Sequence, residues 1–463
     1  MDHVIALLVI SLLTCSAIAA KDRIDSIVND EIKKQRIPGI SVAVIKDGKI
    51  VKSGGYGYAN LELKVRATDH TVYQIQSVTK TFTSAAIMML AEEGKLNIDD
   101  KLIKYLPDAP DTWKTITLRH LLTHTSGIKD FINEPVGDLR LELTENLVYE
   151  QAKLRKLNFE PGDQYQYSNT NYHLLAMVIR KLTGEYYGDV LRKRIFEPLQ
   201  MKETRIVTLS SLVPNRASGY VWDKDGEVSN GNFVAESILS YAGGGIMSTV
   251  LDLAKWDAAL YGNQILSEAA KQASWSQTKL NNGSVSGYGF GWVVNTLSGH
   301  RQLAHSGGHV TGFGTILMRF PDDKLTVVVL TNAQWSATDR IALRIAGEYL
   351  PGVTQGTAKA IRDKNPEVTV LLRKVLEQGA KGELDLTPFT AKMAKVFTPE
   401  VVQQGGARLK QFGKIKKIEL LLKAERDGIQ NFRYRVIYER SVIYCSLGVD
   451  SAGKICGLEF GGS

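Results

Sequence analysis

The sequence predicts a mixed α/β (α+β) protein in two parts: a large region built on one antiparallel sheet flanked by helices, and a smaller α+β unit behind it. Three observations carry this. Strand-like runs gather at both ends of residues 21–350 while the stretch between reads as helices and loops, so the two ends close one sheet around a helical insertion. Beyond residue 365, helical patterns give way to four strand-like runs, the order of a separate α+β domain. The 463 residues, 44% hydrophobic and 23% charged, are an ordinary globular composition, long enough for two or three domains of roughly 150 residues each.

Taken in order, residues 1–20 read as an export signal. The apolar stretch Val4–Cys15 ends in Ala17-Ile18-Ala19-Ala20, small residues that signal peptidase reads, and cleavage after Ala20 leaves Lys21 first. An uncleaved membrane anchor is the alternative. No later apolar run is long enough to span a bilayer, so the processed chain is expected to be exported, periplasmic or secreted, with no transmembrane segment. From Asp22 to Gln35, Ile24, Ile27, Val28 and Ile32 form a helical stripe ended by Pro38-Gly39. Ile40–Ile45 and Lys49–Lys52 flank Asp47-Gly48, a hairpin signal. Phe82–Glu93 and Asn171–Leu182 read as helices. Gly314–Arg319 and Lys324–Thr331 form a second strand pair around Pro321-Asp322-Asp323, and Ser336–Leu350 a closing helix.

Pro351-Gly352 opens a linker, 351–365. Residues 366–463 then carry two or three helices to about Gly405 and strand-like runs at Ile415–Leu422, Phe432–Tyr438, Val442–Leu447 and Ile455–Phe460. Cys445 and Cys456 flank the turn Asp450-Ser451-Ala452-Gly453. A cross-strand disulfide, if the register brings the sulfurs together, and two small buried thiols are both open. The net charge of +8 comes from basic residues interleaved with acids. Its one dense patch, Lys410, Lys414, Lys416 and Lys417, reads as a solvated face, so no nucleic-acid partner is expected.

Three short segments carry chemistry. The first is Ser77-Val78-Thr79-Lys80. A serine and a lysine three apart share a helix face, and a neutral amine there accepts the serine proton and makes a nucleophile. The spacing alone is weak: it recurs at Ser126/Lys129, Ser276/Lys279 and Ser451/Lys454. Only Ser77 stands between an alternating apolar run, Val72–Ile75, and a strong helix. There it is placed to act as N-cap as well, and a plain cap is the bland reading. The second is Tyr167-Ser168-Asn169. Residues two apart on an extended segment point to one side, and a phenol near a cationic lysine would have a lowered pKa suited to shuttling protons. An ordinary helix cap at Asn169 is the alternative. The third is His305-Ser306-Gly307-Gly308, where glycines let backbone N–H groups approach a ligand. One such N–H with that of Ser77 would form an oxyanion hole, and a glycine-rich turn is the bland reading.

Together these segments resemble the penicillin-recognising serine hydrolases: class C β-lactamases, D-alanyl-D-alanine carboxypeptidases and related esterases and peptidases, whose Ser-x-x-Lys signature is met at Ser77. Further stretches are similar in the same order: His120-Leu121-Leu122-Thr123-His124-Thr125-Ser126-Gly127, Pro161-Gly162, and Gly243-Gly244-Gly245 leading to Ser248-Thr249 and Asp252-Leu253-Ala254. The resemblance covers residues 21–350. It implies a β-lactamase/transpeptidase-like fold with a helical subdomain. Ser77 would be the acylated nucleophile, Lys80 the acceptor of its proton and Tyr167 a partner in proton transfer, including activation of the deacylating water. Asn169 would bind the substrate amide, and Gly308, beside Gly307, would give the second oxyanion N–H. No metal or organic cofactor is implied. His120 and His124 are four apart like zinc ligands, but Leu121 replaces the glutamate of His-Glu-x-x-His, and the resemblance makes the segment a structural loop.

One departure bears on substrate. His305 stands where many relatives carry the lysine of a Lys-Thr-Gly motif. An imidazole is half charged near pH 6.5, not a permanent cation for a substrate carboxylate. The resemblance then implies a peptidase or esterase more than an efficient β-lactamase. Such an enzyme would work through an acyl-enzyme on amide or ester bonds of a small-molecule or peptide substrate, peptidoglycan-derived ones included. A true β-lactamase, a non-catalytic penicillin-binding or sensing protein and an envelope structural protein are the alternatives. Residues 366–463 resemble the nuclear-transport-factor-2-like cone folds, with Lys454-Ile455-Cys456-Gly457-Leu458 as the last strand. No catalytic set is visible there, and binding of substrate, a partner or a second copy of the chain is the expectation.

Overall fold

The structure, a computed structural model, describes residues 23–462 apart from 133–137, 224, 351, 354–359, 365, 427–428 and 441. The expected export signal at 1–20 and much of the expected linker lie outside the described residues. The chain divides into two compact units, between Tyr349 and Leu350.

The first unit opens with a helix over residues 23–35 (α1). Its sheet takes β1 (Gly39–Lys46), β2 (Lys49–Asn60) and β3 (Val65–Arg66) from the start of the unit, and β4 (Val293–Leu297), β5 (His300–His309), β6 (Phe313–Phe320) and β7 (Leu325–Thr331) from its end. The order is β4-β5-β6-β7-β1-β2-β3, antiparallel throughout, so the two ends meet where β7 pairs with β1. The hairpin β1–β2 turns at Asp47 and Gly48, both at positive φ (50° and 74°), as a two-residue turn matched to strand twist requires. β1 and β7 are buried along nearly their whole length and read Gly-Ile-Ser-Val-Ala-Val-Ile-Lys and Leu-Thr-Val-Val-Val-Leu-Thr, without polar alternation. That is the pattern of central strands covered on both faces.

Ala43, Ile45, Val328 and Leu330 point into the core shared with the helical insertion; Val42, Val44, Val327 and Val329 alternate to the other face. The insertion contributes α2 (Thr79–Glu92), α3 (Asn169–Thr183) and α4 (Val250–Ala259), and the unit closes with α5 (Thr338–Ala346). Phe82 of α2 stacks on Trp256 of α4 with ring centroids 4.4 Å apart. Thr249 caps α4 by accepting the Asp252 N–H, and α3 ends at Gly184 in the left-handed conformation.

The second unit holds α6 (Pro366–Lys381) and α7 (Pro399–Gln411) and an antiparallel meander of β8 (Ile415–Arg426), β9 (Ile429–Tyr438), β10 (Val442–Val449) and β11 (Ile455–Gly462). Phe432, Tyr434, Val436 and Tyr438 of β9 alternate into a core with Val368, Leu372, Val375 and Leu376 of α6. The register answers the cysteine question left open above. Cys445 lies opposite Phe460, Gly448 lies opposite Gly457, and both thiols are free. Among the described residues no helix is long and apolar enough to cross a membrane.

Candidate active site

Ser77 lies in a tight turn, Gln76–Val78, that runs directly into α2. From residue 71 to 88 it is the only position that is not buried. Its predecessor Gln76 has φ +52°, a left-handed conformation unusual for a residue with a side chain. The strain is held by partners: Gln76 Nε2 donates to Gln74 Oε1 and to Thr311 Oγ1, each at 3.0 Å. Strand β5 presses on the turn. A Cβ on Gly307 would stand 2.5 Å from the Ile75 carbonyl oxygen and 2.6 Å from Thr315 Oγ1, and Thr315 donates to that same carbonyl at 2.8 Å. The expected capping role of Ser77 is corrected. The N-cap of α2 is Val78, without a side-chain cap, because a 3₁₀ turn precedes the helix and supplies its first backbone bonds. The Ser77 hydroxyl is left for Lys80.

Lys80 is fully buried. Its Nζ lies 2.7 Å from the Gly243 carbonyl, 2.9 Å from Asn169 Oδ1 and 3.2 Å from Ser77 Oγ. Burial pushes the amine down to about 7, against the charge of Asp130, which raises it. A neutral amine has two N–H groups and one lone pair. The carbonyl and the amide oxygen can only accept, so they take both N–H groups, and the lone pair faces the Ser77 hydroxyl. Asn169, the first residue of α3, is itself fixed: Oδ1 also accepts from Tyr241 Oη at 2.8 Å, and Nδ2 donates to Asp130 Oδ2 at 3.0 Å. The resemblance implied that Asn169 binds the substrate amide. Here its oxygen accepts from Lys80 and Tyr241, and its Nδ2 donates to Asp130.

The Tyr167 phenol lies near enough to Ser77 for the serine hydroxyl to influence its ionisation, and its ring centroid is 4.7 Å from Lys80 Nζ. The expected lowering of its pKa is corrected. Burial raises the phenol well above its ordinary value, the nearby Tyr241 adds to this, and the Ser77 hydroxyl acts in the opposite direction without reversing it. His305 lies on β5, buried, with Nδ1 donating to the Ser306 carbonyl at 2.6 Å and Nε2 accepting from Tyr288 Oη at 2.8 Å. Burial, with the Lys80 charge second, pushes the imidazole down to about 3. The expectation of a half-charged ring near pH 6.5 is corrected too: His305 is neutral across the working range. Gly307 and Gly308 pair with Thr315 and Gly314 of β6, while β4 stops at the pair Val293–Ala304 and leaves 305–309 unpaired on that side.

The structure therefore brings Ser77, Lys80, Tyr167 and Asn169 into contact, with His305 and Gly307 around them. Reading the sequence missed Asp130, Tyr241, Tyr288 and the inward-facing His124. For two of them a signal was present: His124 falls in the stretch from His120 to Gly127, and Tyr241 precedes the Gly243-Gly244-Gly245 run. His120 Nδ1 accepts the Thr117 N–H at 3.2 Å as part of a helix cap.

These side chains gather beside a β-lactamase/transpeptidase-like sheet. The sequence profile of the family described as Beta-lactamase matches residues 24–348, and the chain belongs to this family of serine hydrolases. It is 32% identical over 327 residues to penicillin-binding protein 4* of Bacillus subtilis, covering 67% of this chain and 71% of that protein. Among solved structures, a D-stereospecific amidohydrolase from a Streptomyces species is similar with a TM-score of 0.59 and 26% identity, covering 68% of this chain and 94% of that one. The octameric penicillin-binding protein homologue from Pyrococcus abyssi shares the fold with a TM-score of 0.62 at 24% identity, covering 95% of this chain and 98% of that one.

Proposed function

We propose that the chain is an exported hydrolase that cleaves amide or ester bonds through an acyl-enzyme on Ser77. The observation that carries this is the lysine network: two oxygens take both N–H groups of a buried amine whose pKa is about 7, which leaves its lone pair on the Ser77 hydroxyl. Ser77 Oγ bonds to the acyl carbon and gives its proton to Lys80. The backbone N–H groups of Ser77 and Gly308 receive the oxyanion. The leaving amine or alcohol departs with a proton returned through Lys80 and Tyr167. Tyr167, whose phenol is held protonated, acts as a hydroxyl relay. Water then attacks the acyl carbon, its proton follows the same path, and the carboxylic acid leaves with Ser77 restored.

A neutral His305 supports a peptidase, amidase or esterase over an efficient β-lactamase, because it offers no cation to a substrate carboxylate. The penicillin-binding relative and the D-stereospecific amidohydrolase support amide substrates, peptidoglycan-derived peptides included. The octameric neighbour supports self-association, for which we assign the second unit.

The test is intact-mass spectrometry of the protein after incubation with a penicillin and, separately, an activated ester, beside Ser77→Ala. Ester turnover is expected to fall by at least about 10³-fold in the variant. Ester turnover without a lasting penicillin adduct supports an esterase or amidase, and a slow penicilloyl adduct a penicillin-binding peptidase. Rapid penicillin turnover would make it a β-lactamase. No reaction with either reagent, or the same reaction in Ser77→Ala, removes the catalytic reading in favour of a binding protein.

A further inference from the structure

His124 takes no part in the chemistry just described, yet it stands behind it. It is fully buried and has φ +56°, a backbone conformation that a side chain of this size rarely adopts. It grips one segment from two sides. The His124 carbonyl accepts the Gln166 N–H at 2.9 Å, and its Nδ1 accepts the Ser168 N–H at 3.2 Å. Tyr167 lies between these anchors, with its ring centroid 4.3 Å from that of the imidazole.

The tautomer follows from the neighbours. Ser126 Oγ donates to Asn171 Oδ1 at 2.6 Å, which turns Asn171 Nδ2 toward His124 Nδ1 at 3.3 Å. Two donors face Nδ1, so that nitrogen is bare and the ring proton sits on Nε2. Nε2 is buried with no hydrogen-bond partner, among the rings of Tyr167, Tyr172 and Tyr288. A left-handed backbone and an orphaned N–H are two local costs that an apolar residue in a relaxed loop would avoid. Both fall on the residue whose side chain anchors Ser168.

We propose that His124 is a positioning residue: through its bare Nδ1 it fixes the Ser168 N–H, and so sets Tyr167 against Ser77 and Asn169 Oδ1 against Lys80. This rests on the reading of Ser77, Lys80 and Tyr167 given above.

The test compares kcat and KM for an activated ester in the full-length protein, Ser77→Ala, His124→Asn and His124→Phe, with folding checked by thermal melting. Asparagine keeps an acceptor on the atom bonded to Cγ, where Nδ1 sits, and tolerates the left-handed backbone. Phenylalanine keeps the stacked ring and loses the acceptor. The expected result is a fall in kcat of about 10²-fold in His124→Phe with KM changed by less than about threefold, while His124→Asn stays within about tenfold of the parent. A packing role predicts the opposite order, because phenylalanine fills the site and asparagine leaves a cavity. His124→Phe as active as His124→Asn, or more so, overturns the proposal. Should His124→Phe not fold, His124→Asn decides alone, and a loss beyond about tenfold overturns the proposal. Ser77→Ala separates the two failures. If it retains turnover, the serine reading falls and the role of His124 with it; if it abolishes turnover while His124→Phe keeps its kcat, only the role of His124 falls.

Discussion

Burial pushes the Lys80 amine down to about 7, so its charge changes near neutral pH. Only the neutral form takes the Ser77 proton, so acylation rises with pH through about 7 and levels off above it. We expect kcat/KM for an ester, measured from pH 5 to 9, to show one ascending inflection near that value. The charge of Asp130 opposes the effect of burial and raises Lys80. Asp130→Asn removes that charge and keeps an oxygen for Asn169 Nδ2, so the inflection moves to lower pH. An unmoved or raised inflection would refute this electrostatic role. His305 contributes no second inflection in the range, since burial holds it at about 3. A single residue identity thus says little by itself: a histidine in solution and this one differ in charge because of where the strand buries it.

At the scale of elements, the site is the place where β5 meets the turn before α2. Gly307 makes the approach possible, because any Cβ there would run into the Ile75 carbonyl and Thr315 Oγ1, and a backbone oxygen cannot swing aside. Gly307→Ala is expected to cost about 1–3 kcal/mol of stability and, by moving the turn, to lower kcat/KM by about 10²-fold. Gly308→Ala is the contrast. The nearest atom to its added Cβ is 3.8 Å away, so stability stays near that of the parent. Denaturant melts and ester kinetics on the two variants check this, and equal losses would show that close approach is not the reason for Gly307. The strands themselves were legible in the sequence. Asp47-Gly48 placed the hairpin, and the runs around Pro321 placed β6 and β7, because turn residues and β-branched runs act locally. The start of α2 was not legible. Gln76 carries no sign of a left-handed backbone, since one of the two groups that hold it, Thr311, comes from a distant part of the chain, beside its near neighbour Gln74. Asp130 and Tyr288 escaped because they come from loops: only folding brings Asp130 to Lys80 and Tyr288 to His305.

For the first unit as a whole, the requirement is that its two ends meet. The β1–β7 ladder does this in the sheet, and α1 and α5 do it in the layer of helices. Glu31 of α1 is buried and accepts from Arg340 Nη2 of α5 at 2.7 Å, from Arg344, and from Gln35 Nε2 at 2.6 Å. Arg344 also reaches Asp30 at 2.7 Å. Burial alone would raise the Glu31 carboxyl, but the hydrogen bonds from Arg344, Arg340 and Gln35 outweigh it and leave the pKa below the ordinary value of 4.5. The unfolded chain therefore binds this proton more readily than the folded one. The resulting stability is fully present above pH 4.5 and is lost as the pH falls through the lowered folded value. Glu31→Gln leaves two guanidinium groups facing a neutral amide, and we expect it to destabilise the protein at pH 7 by about 1–3 kcal/mol. That difference should shrink steadily below pH 4.5, because the parent carboxyl then becomes protonated and resembles the variant. Paired denaturant melts at pH 7 and at successively lower pH measure it. A difference that stays constant with pH would mean that Glu31 holds the ends together by shape alone, and that the charge on α1 plays no part in closing the unit.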